Sequence, residues 1–317
     1  MLYIGIDVGG TGIQIGIVDE KGTIIEKGAI VTRPEEGYEK MIKDMADCAL
    51  ETLAKSGHDL IEIRSIGVGV PGIADQKTGV IPFCTNLGWH NVPFREEFQK
   101  HIDKPVYIDN DATVAALAES VAGVSAGSDS SVMLTLGTGV GGGIIVHGKI
   151  WSGSHGVGSE IGHMILELDG EPCTCGNRGC LERYCSATAI IRMAREAVAT
   201  HPDSMILTMA GGDPAKINAK IVFDAAAESD PAATKVFRRY ISYLAQAIAS
   251  ICNFFDPDVV VLGGGVSKSG DALLVPLREE VPKHVIFKTM PMARIEAARL
   301  GPDAGIIGAA MLGSAAE

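Results

Sequence analysis

The chain has 317 residues and a formal net charge of −12, and 46% of its residues are hydrophobic. Because a single hydrophobic core usually stops growing below this length, the sequence predicts two compact lobes. The acidic balance disfavours binding to nucleic acid or to an anionic membrane, since both would repel the protein.

The amino terminus and the cysteines bear on cellular location. Met1 leads directly into an alternating, strand-like run without the pattern of a signal peptide. No apolar stretch is long enough to span a bilayer. The seven cysteines are an odd number, which fits a cytoplasmic protein better than a disulfide scaffold. We therefore expect a cytoplasmic protein with no membrane or nucleic-acid partner.

The first third of the chain alternates strand and helix patterns. "LYIGIDVGGTGIQIGIVDEKGTII" predicts two strands joined by a glycine-rich turn, followed by a third strand. The segment from Tyr38 to Ser56 has helical periodicity. "IRSIGVGVPG" then predicts a buried strand, and "KPVYIDNDATVAALAESVAG" predicts a strand, a polar turn and an alanine-rich helix.

The same pattern starts again in "SSVMLTLGTGVGGGIIVHGKI". Helices are predicted at about 181–200 and 231–255, followed by a strand in "PDVVVLGGGVS" and a closing helix in "DAGIIGAAMLGSAAE". The repetition predicts a duplicated α/β unit, with two lobes facing each other. The expected domains are 1–113, joined by the closing helix at 303–317, and 114–302.

Three glycine-rich loops follow apolar strands, at Asp7–Gly12, Gly137–Gly143 and Gly263–Ser267. Glycine lets backbone N–H groups approach a phosphate closely, so these loops could hold the phosphates and nucleoside of a nucleotide. Each loop alone is equally consistent with a tight turn. None matches a Walker A loop or a Rossmann fingerprint, because no Gly-Lys-Ser/Thr follows and the first turn leads into a strand.

Two acidic positions stand at predicted strand ends. Asp7 ends the first strand beside a glycine loop, where a carboxylate could hold Mg²⁺ or cap the turn. Asp109, Asn110 and Asp111 lie between a strand and a helix, where ligands collect in open α/β sheets. An ionised Asp111 could accept the proton of a hydroxyl that attacks a phosphoryl group. The pair Asn110-Asp111 is equally consistent with a helix N-cap without a catalytic role.

A cysteine cluster has the spacing C-x-C-x4-C at Cys173, Cys175 and Cys180. Closely spaced thiolates favour tetrahedral Zn²⁺ over a redox pair, because the C-x-x-C spacing is absent; unligated buried thiols are the third possibility. The fourth ligand could be His163 or Cys185. A metal-held loop would bring His163 into one pocket with Glu160 and Glu182, where they could bind vicinal sugar hydroxyls.

Together these motifs resemble the ROK family (repressors, open reading frames, kinases) of the actin-like ATPase superfamily, and most closely its bacterial glucokinases. The resemblance covers essentially the whole chain and rests on the segments "DVGGTGIQIG", "GVPGIAD", "NLGW", "DNDA", "LGTGVGGG", "GSEIGH", "CTCGNRGCLE", "LGGGVS" and "DAGIIGAA". It implies an α/β fold of two actin-like (ribonuclease H-like) lobes with a ligand cleft between them. It also implies transfer of the ATP γ-phosphate to a hexose, with Mg²⁺.

The resemblance assigns residue roles by motif position. The general base is Asp111. The zinc ligands fall on His163, Cys173, Cys175 and Cys180, which excludes Cys185. The sugar-binding positions fall on Gly72, Asn86, Asn110, Asp111, Glu160, His163 and Glu182. The positions expected to contact ATP and Mg²⁺ are Asp7, Gly9, Gly10, Thr11, Gly12, Gly137, Thr138, Gly139, Gly264 and Gly265. The family also implies a homodimer, and zinc would fix the His163 ring rather than act on the substrate.

The chain departs from the family pattern at one point. Many relatives carry lysine where this chain has Gly12 or Gln14, so backbone amides, Mg²⁺ and Lys268 would have to hold the phosphates. Alternatives are kinases for N-acetylmannosamine, fructose, mannose or allose, a polyphosphate-using glucokinase, and a sugar sensor without activity. A DNA-binding regulator is disfavoured, because the phosphate motif begins by Asp7 and leaves no room for a preceding winged helix.

Overall fold

The computed structural model describes residues 1–316, which form a mixed α/β fold. The strands are β1 (Leu2–Val8), β2 (Gly12–Asp19), β3 (Ile24–Val31), β4 (Ile63–Val70), β5 (Ile73–Asp75), β6 (Val80–Cys84), β7 (Trp89–Val92), β8 (Val106–Asn110), β9 (Ser130–Leu136), β10 (Val140–Val146), β11 (Lys149–Ile150), β12 (Val259–Gly263) and β13 (Arg294–Ala297). Short 3₁₀ segments connect several of them.

The α-helices are α1 (Tyr38–Ser56), α2 (Phe94–Gln99), α3 (Asp111–Val121), α4 (Glu182–Cys185), α5 (Ala187–Thr200), α6 (Met205–Met209), α7 (Ala219–Ala227), α8 (Pro231–Phe255), α9 (Gly264–Ser267), α10 (Asp271–Glu280) and α11 (Ala304–Ala315). Over residues 1–316, no helix combines the length and the apolar character needed to cross a membrane.

The first sheet places several strand ends at one edge. Its order is β3-β2-β1-β4-β8, with β1, β4 and β8 parallel to one another. Asp7 of β1 is in register with Gly69 of β4, which is in register with Asp109 of β8. Because parallel strands end on the same side, the segments that follow β1, β4 and β8 begin close together. A small antiparallel sheet of β5, β6 and β7 accompanies this sheet.

The core of this sheet is built from strands with almost no exposed side chain. Isoleucine and valine fill one face of β1 and β4, and glycines lie on the other face. On one face α11 packs so closely that a Cβ on Gly5 or Gly67 would overlap the α11 backbone. These glycines are therefore required by helix–sheet packing rather than by a turn.

The second sheet has the order β11-β10-β9-β12-β13, and β12 and β13 are parallel. β12 is fully buried and ends at Gly263, immediately before the short helix α9. The amphipathic helix α8 packs against α5, α7 and α10. It begins at Pro231, with the Asp230 side chain accepting a hydrogen bond from Ala233 N, as expected of an N-cap.

The chain forms two compact units, one of residues 1–133, 143–159 and 299–316 and the other of residues 134–142 and 160–298. The expected boundary after residue 113 falls inside α3, whose whole length lies in the first unit. The physical reason is that α3 packs on α11. In addition, the buried Glu119 carboxylate accepts hydrogen bonds from the N–H groups of Arg299 and Leu300, both at 2.8 Å.

Two helices match the sequence expectation at both ends, because Tyr38–Ser56 and Pro231–Phe255 were expected from periodicity and a first-turn proline. The single helix expected over 181–200 is wrong. It is broken at Ser186, which adopts an extended backbone conformation and caps α5 by accepting a hydrogen bond from Ala189 N at 3.1 Å. A serine that caps a helix competes with continuation of the preceding helix.

Candidate active site

In the first unit, the carboxylate of Asp7 lies at the end of β1, and it is largely buried. Burial, together with the negative charge of Asp111, raises the pKa of Asp7 from 3.8 to about 6. The Asp7 carboxylate also packs against the first turn of α11, where a Cβ on Gly305 would overlap it. Two nearby carboxylates at a strand edge offer the oxygen ligands that Mg²⁺ prefers.

Asn110 caps helix α3. Its Oδ1 accepts from Ala112 N at 2.9 Å and from Thr113 N at 3.4 Å, and its Nδ2 donates to the carbonyl of Gly72 at 3.1 Å. Asn110 is therefore the N-cap of α3, as one of the two interpretations of the Asn110-Asp111 pair expected. An amide Nδ2 has two hydrogens, so one donor is still available to a ligand hydroxyl.

Asp111 is the first residue of α3, and its side chain is exposed. Its Oδ1 accepts a hydrogen bond from Ala112 N at 2.8 Å. A carboxylate in the first helical turn is stabilised in its ionised form by the helix dipole. The structure thus presents an exposed carboxylate that can accept a proton, next to Asn110.

Two further predicted sugar-binding positions lie near this turn. Gly72 follows β4, and a Cβ there would overlap the carbonyl oxygen of Phe83 at the end of β6. The short 3₁₀ segment Thr85–Leu87 follows β6 and contains Asn86, which is exposed. The Asn110 amide therefore connects the segment after β4 to the start of α3. Because Gly72 has no side chain, the end of β6 can pack against the same segment.

The first glycine turn joins β1 to β2. Gly9 N donates to Gly12 O at 3.0 Å, and Thr32 Oγ1 donates to Gly9 O at 2.7 Å. Gly10 and Thr11 at its tip are exposed, and a Cβ on Gly10 would meet no atom within 4 Å. Gln14 is the cross-strand partner of Asp7, so a neutral side chain stands opposite that carboxylate.

In the second unit, the turn from β9 to β10 contains Gly137, Thr138 and Gly139. Gly137 N donates to Gly139 O at 3.0 Å, and Ala187 N donates to Gly137 O at 2.8 Å. Thr188 Oγ1 donates to Thr138 O at 2.8 Å. The first turn of α5 therefore fixes the backbone of this loop, and the side chain of Thr138 remains exposed.

The third glycine loop lies at the end of β12. Gly264 has φ 82°, a conformation that L-residues rarely adopt, and a Cβ there would overlap the backbone of Leu136. Gly265 is exposed, with no atom within 4 Å of an added Cβ. Close packing thus brings this loop to the end of β9, from which the turn at Gly137 begins.

The cysteine motif gathers one imidazole and three thiols. The ligand atoms of His163, Cys173, Cys175 and Cys180 all lie within 4.8 Å of one another. Cys173 Sγ lies 3.6 Å from His163 Nδ1, and Cys175 Sγ lies 3.7 Å from Cys180 Sγ. Ligands about 2.3 Å from a tetrahedral Zn²⁺ stand about 3.8 Å apart, so this donor set fits zinc.

Local backbone contacts shape this loop. Cys173 N donates to Asn177 O at 2.8 Å, and Ile165 pairs with Cys180 in an antiparallel bridge. Burial, together with the neighbouring thiols, raises the pKa of Cys180 to about 12, whereas the N–H of Asn177 lowers the pKa of Cys175. Such closely spaced thiols ionise together only when a cation compensates their charge.

The remaining predicted sugar-binding side chains are near this cluster. Glu160 is exposed and lies just before the 3₁₀ segment Ile161–His163, with its Oε2 4.0 Å from His163 Nε2. The Nδ1 atom of His163 therefore faces the thiols while Nε2 faces the opposite side. Glu182 opens α4 two residues after Cys180, but one of its oxygens accepts from Val140 N at 3.0 Å.

Sequence reasoning missed two features of these sites. Gln76, in the hairpin after β5, donates through Nε2 to Asp109 Oδ2. Gly305 leaves the space that the Asp7 carboxylate fills. The segment "DAGIIGAA" carried a signal for Gly305, but nothing in the sequence pattern distinguished Gln76 from an ordinary turn residue.

The ROK family model matches residues 3–316 of this chain. The chain belongs to the ROK family. A glucokinase of Thermotoga maritima is 40% identical over 310 residues, which cover 98% of this chain and 96% of that protein. A ROK family glucokinase from Streptomyces griseus, solved in complex with glucose and AMPPNP, is 34% identical, with a TM-score of 0.80 over 98% of this chain and 99% of its own.

A ROK hexokinase from Thermus thermophilus is 32% identical, with a TM-score of 0.85 over 98% of this chain and 97% of its own. The predicted fold class is confirmed: the chain has the mixed α/β, two-lobed, actin-like fold of the ROK sugar kinases. The expected family resemblance is likewise confirmed.

Proposed function

We propose that this protein transfers the γ-phosphoryl group of ATP to the 6-hydroxyl of glucose. The observation that carries the proposal is the exposed Asp111 carboxylate at the start of α3, beside Asn110, which caps this helix, in a ROK chain 40% identical to a glucokinase. Asp111 accepts the proton of the 6-hydroxyl while the oxygen of that hydroxyl bonds to the γ-phosphorus. At the same time the bond between the γ-phosphorus and the ADP oxygen breaks.

The other residues bind and orient the substrates in this proposal. The hexose is bound by Gly72, Asn86, Asn110, Asp111, Glu160, His163 and Glu182. The nucleotide and its Mg²⁺ are bound by Asp7, Gly9, Gly10, Thr11, Gly12, Gly137, Thr138, Gly139, Gly264 and Gly265. When bound, Mg²⁺ neutralises the phosphate charge, and the Asp7 carboxylate would hold the ion.

A zinc site is supported by the four donor atoms within 4.8 Å of one another. His163, Cys173, Cys175 and Cys180 would hold the ion through Nδ1 and the three sulfurs. The ring would then be fixed so that Nε2 can contact a sugar hydroxyl. Zinc serves as a structural staple here and takes no part in phosphoryl transfer.

Two broader expectations belong to the same proposal. The protein functions in the cytoplasm, which the seven free cysteines support. It functions as a homodimer, which the family resemblance supports.

A coupled assay of ADP release tests the proposal. Purified protein is assayed with glucose, mannose, fructose, allose and N-acetylmannosamine, and sugar phosphate is measured in parallel with polyphosphate as donor. Glucose with ATP should give the highest kcat/KM. A higher value for another sugar or for polyphosphate would replace the assigned substrate, and the absence of turnover with every pair would favour a sugar sensor.

A further inference from the structure

Asp109 is a buried carboxylate with no role in the mechanism above. It lies in β8 directly before Asn110 and Asp111, and only 5% of its surface is exposed. Its Oδ1 accepts from Asn110 N at 2.7 Å, and its Oδ2 accepts from Gln76 Nε2. Both oxygens are thus engaged with neutral donors, which is a costly placement for a charge without a specific use.

The hairpin that carries Gln76 is itself held to β8 by Arg95. Arg95 Nη2 donates to Gln76 O at 2.7 Å, Nη1 to Lys77 O at 3.0 Å, and Nε to Val106 O at 2.9 Å. Val106 is the first residue of β8. A guanidinium fork with three carbonyl acceptors fixes the hairpin in one orientation, so Gln76 reaches Asp109 from a rigid base.

The Asn110 side chain is anchored separately. Its amide holds the N-terminus of α3 and the carbonyl of Gly72, without involving Asp109. Asp109 instead fixes the backbone N–H of Asn110, where the chain leaves β8 and enters α3. The orientation of the peptide between Asp109 and Asn110, which leads into the Asn110-Asp111 turn, therefore depends on the Asp109 carboxylate. The orientation of that carboxylate depends in turn on Gln76.

We propose that Asp109 and Gln76 form a positioning pair that holds the Asn110-Asp111 turn in its catalytic geometry. The proposal rests on the role of Asp111 as general base. A displacement of about 1 Å at a reacting group can cost on the order of a hundredfold in rate, so a buried pair that fixes the turn has a direct effect on turnover.

The test compares steady-state kinetics of three single variants and one double variant. Asp109→Ala should lower kcat at least tenfold while the hexose KM changes less than threefold, because the Asn110 amide keeps its own anchors. Asp109→Asn should retain much of the activity, since its Oδ1 can accept from Asn110 N and its Nδ2 can donate to a rotated Gln76 amide. Gln76→Ala should give an intermediate loss, and the Gln76→Ala/Asp109→Ala double variant should be no worse than Asp109→Ala.

Two matched controls separate positioning from general destabilisation. Asp230→Ala removes another buried aspartate, which accepts from Ser204 Oγ, Met205 N and Ala233 N at the start of α8. Gln99→Ala removes a surface glutamine whose Nε2 donates to Lys104 O at 2.9 Å. Asp230→Ala should lower the melting temperature without lowering kcat, and Gln99→Ala should change neither. A kcat loss in Asp230→Ala as large as in Asp109→Ala would overturn the proposal.

Hydrogen exchange supplies a readout that does not depend on catalysis. The backbone N–H of Asn110 should exchange at least tenfold faster in Asp109→Ala than in the wild type. In Asp230→Ala it should exchange at the wild-type rate. Unchanged exchange in Asp109→Ala overturns the pair even if no hexose is phosphorylated. Faster exchange with an unchanged kcat would show a structural contact and likewise overturn the positioning role.

Discussion

One carboxylate oxygen of Glu182 accepts a hydrogen bond from Val140 N at 3.0 Å. Glu182 follows the cysteine loop, whereas Val140 ends the glycine turn between β9 and β10. A Cβ on Gly139 would overlap the same oxygen. The proposed sugar-binding and phosphate-binding loops of this unit are therefore in direct contact through the Glu182 side chain.

Gly139→Ala should displace the Glu182 carboxylate and raise the KM for glucose about tenfold, because the methyl group takes the space of Oε2. The matched control is Gly137→Ala in the same turn, where an added Cβ meets no atom within 4 Å. Steady-state titration of both substrates distinguishes the two: Gly137→Ala should leave the glucose KM unchanged. An equal glucose KM in both variants would contradict the contact's functional role.

The sequence predicted the elements that simple physical patterns control. Alternating apolar runs separated by glycine gave β1 and β2, and the 3.6-residue periodicity with Pro231 as a first-turn residue gave α8. The spacing of Cys173, Cys175 and Cys180 predicted a thiol cluster, and the structure places their sulfurs together with His163. Such features depend on residues close in sequence, so short windows reveal them.

Contacts between distant segments could not be predicted in this way. Glu119 is 0% exposed, and its carboxylate accepts from Val124 N, Arg299 N and Leu300 N, each at 2.8 Å. Its sequence neighbours indicate only an alanine-rich helix. The Gln76–Asp109 contact has the same character, because the partners are 33 positions apart, with Gln76 in the hairpin after β5 and Asp109 in β8 of a different sheet. Neither contact produces a periodicity or a motif.

Asp111→Asn should lower kcat by about 10²–10⁴-fold with little effect on glucose affinity, because general-base catalysis typically contributes that much. The amide keeps the size of the side chain but cannot take the proton, and the Asn110 cap of α3 is untouched. Calorimetric titration with glucose should return a dissociation constant within threefold of the wild type. Activity within tenfold of the wild type would remove Asp111 from the role of base.

Cys175→Ser and Cys185→Ser form a matched pair for the metal site. Cys175 belongs to the donor cluster, whereas Cys185 is fully buried in α4, and the Tyr240 hydroxyl donates to its carbonyl at 3.2 Å. Elemental analysis should find about one zinc per chain in the wild type and in Cys185→Ser, and none in Cys175→Ser. The glucose KM of Cys175→Ser should rise at least tenfold, because His163 and Glu182 lose their staple. Zinc loss with an unchanged glucose KM would refute the proposal that zinc positions His163 and Glu182 for sugar binding.

Asp7 makes the protein without nucleotide or metal less stable at neutral pH. Burial raises the folded-state pKa of Asp7 from 3.8 to about 6, so the folded state binds the proton more tightly than the unfolded state does. The free energy of unfolding therefore falls as the pH rises from about 4 to about 6 and stays lower above that. A rise from 3.8 to about 6 corresponds to at most about 3 kcal/mol.

Asp7→Asn should consequently stabilise the protein at pH 7.5 while abolishing phosphorylation. The amide is neutral at every pH, so it avoids the desolvation cost of the carboxylate and the repulsion from Asp111. Urea unfolding at pH 4.5 and pH 7.5 measures the effect: the gain should be about 1–3 kcal/mol at pH 7.5 and much smaller at pH 4.5. The pKa of Asp109 is also raised to about 6, so part of the pH dependence should persist in Asp7→Asn. A variant less stable than the wild type at pH 7.5 would show that the ionised Asp7 carboxylate stabilises the fold.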